Sequence, residues 1–424
     1  MPGTTQIFIA APQTVRLEPI FMNEWGGAAA SRDKAARHKL DIAETMNTEH
    51  LILKAREATG LSELGDPAVL EGLKVLIDSA GAEARLSPVG AERLEQTLVA
   101  TLSNRLRIVD YLKRHAELEE QPIDRPLFVF GLPRTGTTLT INLLSADPAR
   151  RCFLRWEALD SVPPAKAGAL HTDPRCVAEQ SRLDAMVKHA PQIAAAHYEA
   201  ADSPSEDQYA MALSFRAQLF DSTLNVPGYR DWFFNTSYLP AFRFQKQLLQ
   251  LLQAENGGRW ALKNPWHPLF LNDLVSVYPD AQLVMTHRDP VEVVASACSL
   301  IRLVRPMFSD TVDLPEIASQ ILETFDLMIA RQDAFREKHG EDAIYDIHYR
   351  DLMRDPIGQM RSLYARFDEP FTAEAEAAMT ALLAANPKGR FGKHDYDLSE
   401  FGLTAAGVRE HFAEYCARFG ISQQ

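Results

Sequence analysis

The chain has 424 residues, 46% of them apolar, enough for one large α/β domain with additions or for two ordinary domains, each with a real core. Its 44 basic residues stand against 57 acidic ones, a net charge of −13, which argues against nucleic acid or a heparin-like polyanion held by global positive charge. An anionic small ligand would need a local basic pocket set against that field.

Residues 1–48 show little periodicity and read as an N-terminal arm. The opening MPGTTQIFIAAPQT lacks the basic start of a signal peptide, and no apolar run approaches a membrane span. Cys152, Cys176, Cys298 and Cys416 form no CxxC pair, so neither a zinc site nor a disulfide framework is expected. These features predict a reduced, cytoplasmic, soluble protein.

Residues 49–124 read as a helical N-terminal region. Asp66-Pro67 opens one helix, with Val69, Leu73, Leu76 and Ile77 on a face; Ser87-Pro88 opens another, with Leu94, Leu98, Leu102, Leu106 and Val109 in a stripe. Residues 125–424 read as an α/β domain. The run Leu127–Phe130 before Gly131 suits a buried parallel strand, and 137–144 reads as a helix. Residues of about 151–255, rich in Phe, Tyr, Met and Trp, form a helical insertion. Strands return at Trp260–Lys263, Gln282–Thr286 and Ile344–Tyr349. A helix presenting Val291, Val294, Ala295, Cys298 and Ile301 follows the second, and another helix follows Pro356. Strands alternating with helices predict a parallel sheet with helices on both faces. The tail after Ala385 is basic and loop-like, KGRFGKH, with a last helix near Ala405–Phe419.

GLPRTGTT, Gly131 to Thr138, keeps both glycines of the phosphate loop G-x-x-x-x-G-K-[ST], between a strand and a helix. Backbone N–H groups of such a turn face an anion. Thr137 stands where an ATPase has its lysine, and Arg134 supplies a cation from inside the loop. A second signal is THRDPVEVVAS. Arg288 leaves a strand where a helix begins, at the kind of edge where parallel sheets bind ligands, Asp289 and Pro290 cap that helix, and Ser296 follows eight residues after Arg288.

PRTGTT, HRDPVEVVAS and the C-terminal KGRFG, in that order, resemble the sulfotransferases that use 3′-phosphoadenosine 5′-phosphosulfate. LKNPWH, YPDAQLVMTHRDP and HDYDLSEFGL resemble the bacterial branch. The likeness spans most of residues 50–410. It implies a P-loop-like parallel sheet, transfer of a sulfuryl group to a hydroxyl, and 3′-phosphoadenosine 5′-phosphate as product. Arg134, Thr135, Gly136, Thr137 and Thr138 would cradle the 5′ side. Arg288 and Ser296 would bind the 3′-phosphate, Tyr349 would lie near the adenine, and Lys388, Gly389 and Arg390 would close over the 3′-phosphate. A transferred sulfuryl group carries less charge than a phosphoryl, so no metal is expected. The animal cytosolic enzymes have lysine where Arg134 stands, tryptophan where Leu139 stands, and arginine where Pro387 stands.

Transfer to an alcohol calls for a base near the hydroxyl. His267 in KNPWH is the first choice, since a histidine's unperturbed pKa lies near neutrality and Lys263 is close by. Glu206 is second, because SPSE, Ser203 to Glu206, has the pattern of a capping box, which would occupy its carboxylate. His197 is third, and Lys263 would position the acceptor or the sulfonate. A minority of Tyr198, Tyr209, Met211, Phe215, Phe220, Tyr229, Trp232, Phe233, Phe234, Tyr238 and Phe242 would line an apolar pocket for a small hydrophobic alcohol or phenol. No nucleic-acid partner or membrane insertion is expected, and a homo-oligomer stays open. Two other readings remain: a P-loop kinase or NTPase, which would need the missing lysine and a Mg²⁺-holding aspartate, and a non-catalytic protein that binds an adenosine bisphosphate.

Overall fold

A computed structural model of the chain describes residues 46–189, 199–385 and 397–421. The expectations on residues 1–45, His197, Tyr198, Pro387, Lys388, Gly389 and Arg390 lie outside these.

The described strands form one parallel sheet in the order β2-β3-β1-β4-β5: β1 is Leu127–Gly131, β2 Arg150–Cys152, β3 Arg259–Lys263, β4 Gln282–His287 and β5 Tyr345–His348. β1 is central and buried on both faces, which explains its unbroken apolar run. Alternation sends Phe128 and Phe130 into one core and Leu127 and Val129 into the other. The first core packs the N-terminal helices together with helices Leu239–Leu252, Pro290–Val304 and Leu314–His339. The second packs Thr137–Ala146, Tyr349–Arg354, Pro356–Arg366 and Ala373–Ala385. The expected parallel sheet with helices on both faces is therefore present. No helix among the described residues is long and apolar enough to cross a membrane.

Sequence order places the functional turns. β1 lies between β3 and β4, with Val129 level with Lys263 and Gly131 level with Thr286; His287 is level with His348 on β5. The turns leaving β3, β1, β4 and β5 thus emerge side by side at the carboxyl edge of the sheet, where parallel sheets hold ligands.

Some local expectations change. Ser87 caps helix Pro88–Arg114 as expected, its Oγ accepting from Gly90 N at 3.0 Å. The expected last helix is two, Ala405–His411 and Ala413–Arg418, parted at Phe412. Helix Leu314–His339 was passed over, although Asp313 caps it and Ile317, Ile321, Phe325 and Met328 give it a buried stripe. Edge strand β2 is too short to show a period. Ser203 to Glu206 is not a capping box: the nearest helix starts at Gln208, and the Ser203 hydroxyl donates to Ala200 O.

Candidate active site

Backbone shape makes the turn after β1. Gly131 has φ +144°, and a Cβ there would lie 2.4 Å from Thr286 O, so only glycine lets β1 run this close to β4. Gly136, at φ +105°, ends the turn and serves as N-cap of helix Thr137–Ala146 with no side-chain capping bond, and a Cβ there would lie 3.1 Å from Tyr349 and Leu352 side-chain atoms. The first N–H groups of that helix are left without an intrahelical partner, and Thr137 and Thr138 line the cavity. Thr135 does not take part through its side chain: fully buried, its hydroxyl donates to Leu132 O at 2.6 Å and lies 2.6 Å from Thr286 Oγ1. It shapes the turn from behind.

The second anion element meets the first. The Arg288 Nη1 donates to Arg134 O at 3.2 Å, its Nη2 to Glu292 Oε2 at 3.2 Å, and its guanidinium covers the Tyr349 ring at 4.3 Å. Its buried Nε donates to no protein acceptor. Arg134 adopts the left-handed φ of +70°, and its Nε donates to Ser296 Oγ at 3.1 Å. Arg134, Gly136, Arg288, Ser296 and Tyr349 are thus contiguous, although their positions span more than 200 residues. Ser296 is buried behind Arg134 and does not line the open space.

Arg134, Gly136, Thr137, Thr138, Arg288 and Tyr349 line a cavity of about 460 Å³, within the usual range for a small-molecule site. Glu206, Gln208, Tyr209, Arg155 and Glu199 line the same cavity. Glu206 Oε1 accepts from Lys263 Nζ at 2.9 Å, and its Oε2 accepts from Gln208 Nε2. Lys263 is 1% exposed and lies 3.9 Å from Glu199 as well. Glu199 accepts from Ser205 Oγ at 2.9 Å and lies 3.5 Å from Arg155 Nη1, while Arg155 Nε donates to Glu179 at 3.0 Å. Burial pulls the Arg155 guanidinium down, and Tyr209, Glu199 and Glu179 more than offset it. Burial pushes the Tyr209 phenol up to about 12.

Leu183, Met186, Leu219, Leu300, Ile301 and Ile321 supply apolar lining. Of the described aromatic and methionine residues singled out from the sequence, Tyr209 lines the cavity. Met211, Phe215, Phe220, Tyr229, Phe233, Phe234, Tyr238 and Phe242 are buried core, and the Trp232 indole donates to Glu71 outside it.

His267 is placed behind the cavity. It is 1% exposed, its Nε2 lies 3.0 Å from Asp207 Oδ2, and it does not line the open space. Arg155, Glu199 and Trp266 do line it but carried no local signal. Ile301 had one, on the apolar face of its helix, but that face was assigned to the core.

Residues 126–373 match the profile described as the Sulfotransferase family. The solved structure of sulfotransferase STF9 from Mycobacterium avium superposes with a TM-score of 0.84 at 35% identity, covering 89% of this chain and 97% of that one. Sulfotransferase STF1 from Mycobacterium tuberculosis H37Rv gives 0.79 at 30% identity, covering 88% and 100%. The omega-hydroxy-beta-dihydromenaquinone-9 sulfotransferase Stf3 of Mycobacterium bovis is 28% identical over 173 residues, 38% of this chain; the match spans 41% of that relative's length.

Proposed function

Since this chain belongs to the sulfotransferase family, we propose that it moves a sulfuryl group from 3′-phosphoadenosine 5′-phosphosulfate to the hydroxyl of a hydrophobic acceptor. Family membership favours a sulfotransferase over a P-loop kinase or NTPase. The observation that carries the finer reading is the single cavity. Cationic and N–H-bearing residues, the Glu206 carboxylate and apolar side chains all line it.

The residues fit the donor. Its 5′ side suits the helix N-terminus at Thr137 and Thr138 with Arg134, its 3′-phosphate suits Arg288 with the unspent Nε donor, and its adenine suits the Tyr349 side. Lys388, Gly389 and Arg390 complete the 3′ end in this reading. When bound, the donor supplies a sulfur made electrophilic by its bond to phosphate. Glu206 takes the acceptor's hydroxyl proton as that oxygen bonds to sulfur. The loop N–H groups and Arg134 stabilise the charge that collects on the departing bisphosphate as its oxygen–sulfur bond breaks. Lys263, buried against Glu206, holds the carboxylate in place through its ammonium hydrogen bond.

Glu206 is the base in this reading because it opens on the cavity, whereas His267 does not. The apolar lining favours a neutral, hydrophobic alcohol or phenol. The relative whose name gives omega-hydroxy-beta-dihydromenaquinone-9 as its acceptor supports that class. The test is an acceptor screen with the donor across phenols, sterols, aliphatic and prenyl alcohols, sugars and amines, read by mass spectrometry. Sulfated hydrophobic alcohols or phenols are expected. Sulfation confined to sugars or amines would overturn the acceptor class.

A further inference from the structure

Glu206 adjoins a buried polar network through Asp207. His267 Nε2 lies 3.0 Å from Asp207 Oδ2, and the same oxygen accepts from Gln245 Nε2 at 2.6 Å. Gln245 Oε1 in turn accepts from the Tyr278 hydroxyl at 2.9 Å. His267 and Asp207 are 1% and 0% exposed. The His267 ring is edge-on to Phe128, at 5.3 Å between centroids, and tilted on Phe242 at 5.8 Å. Its position is therefore set by β1 itself, the strand that carries the anion turn.

Asp207 follows Glu206 directly. Its N–H donates to Lys263 O at 3.0 Å, and its own carbonyl accepts from Ala210 N at 2.9 Å. The backbone under Glu206 is thus tied to the backbone under Lys263, the two partners of the ion pair facing the cavity. Asp207 Oδ1 takes no hydrogen bond, so His267 and Gln245 on Oδ2 are what orient this carboxylate. Removing a donor from a buried carboxylate costs the group its desolvation, and the segment must turn to recover it.

We infer that His267 is a positioning residue that aims Glu206 by holding Asp207. The inference rests on Glu206 as the base.

The test compares full-length wild type with Glu206→Gln, His267→Ala and His267→Gln, using 3′-phosphoadenosine 5′-phosphosulfate with 2-naphthol and 1-dodecanol. Glutamine places an amide N–H near the position of Nε2. His267→Ala is expected to lower kcat about 10- to 100-fold, with donor affinity held. His267→Gln is expected to stay within about threefold of wild type. Both should retain the acidic limb of the wild-type kcat profile against pH, which the base sets. A thermal melt confirms that each variant is folded under assay conditions. Full turnover in a folded His267→Ala overturns the positioning role alone. A folded, donor-binding His267→Gln whose residual turnover is as low as that of His267→Ala and no longer shows the acidic limb overturns it in favour of histidine as base. Full turnover in Glu206→Gln overturns the assignment of the base and, with it, the role given to His267.

Discussion

Two groups of residues that line the cavity are built by different means. The anion end is a turn of eight consecutive residues, in which Gly131 lets β1 approach β4 and the helix N–H groups are left open, with arginine side chains beside it. The carboxylate end relies on side chains, those of Arg155, Glu199 and Glu206, with Lys263 and a buried polar network behind them. The backbone turn fails when a Cβ intrudes, while the arginine side chains beside it carry the charge. A side-chain site fails when one functional group is exchanged, even at constant volume.

The sharpest way to break this contrast is Glu206→Gln, which keeps shape and removes the base. Turnover is expected to fall by ~10²–10⁴-fold with donor affinity within about threefold, measured by steady-state kinetics and calorimetry. A comparable loss of donor affinity would mean that the two ends are not separable.

Arg288→Met sharpens the distinction inside the anion end. Loss of a charged hydrogen-bond donor is expected to cost about 1.5–3 kcal/mol, or ~10- to 150-fold in affinity for 3′-phosphoadenosine 5′-phosphate. Binding of adenosine 5′-phosphosulfate, which lacks the 3′-phosphate, should barely change. Equal loss for both would move Arg288 away from the 3′ end.

Gly131→Ala tests the backbone side. A Cβ placed 2.4 Å from Thr286 O at φ +144° is expected to destabilise the fold by about 1–3 kcal/mol in denaturant titration. Wild-type stability would show that β1 and β4 can part without cost.

The smallest effect concerns the support beneath Arg288. His287 donates to or accepts from Tyr415 and Asp346 at 2.8 Å each, and Asp346 also accepts from Arg336. Burial, more than the Asp346 carboxylate can offset, holds the His287 imidazole below its ordinary 6.5. As pH falls, the unfolded chain binds this proton first. The stability contribution is therefore complete above pH 6.5 and declines below it. The melting temperature should drop with that slope in wild type, and the slope should shrink in His287→Gln. An unchanged slope would assign the acid sensitivity to other groups.

The anion end was legible because its signals are local. Gly131, Arg134, Gly136 and Thr137 sit in one short run, and the turn's geometry follows from glycine and the helix start. Arg288 was legible because a strand and an N-cap flank it. Ser296 was legible as a neighbour of the site, but its partner in the structure is Arg134, from 162 positions away. Which candidate base opens on the cavity was not legible. His267 has the suitable side chain and stands near Lys263, yet side-chain type says nothing of which way it faces. Glu206 was set back by a capping-box pattern in a segment that forms no helix there. Which of the aromatic residues reach the cavity was not legible either: most bury their area in the core, and Tyr209 lines the cavity beside Leu219, Leu300 and Ile301.

By itself the sequence determined the parallel sheet, the turn that exposes N–H groups, and the family, because each is encoded in contiguous periodicity and in residues with restricted backbone freedom. Tertiary structure alone decided that β1 lies between β3 and β4, that Lys263 faces Glu206, and that His267 turns inward to Asp207. Those outcomes depend on which faces of distant segments close on one another, and burial rather than residue type then selects the groups left open to a substrate.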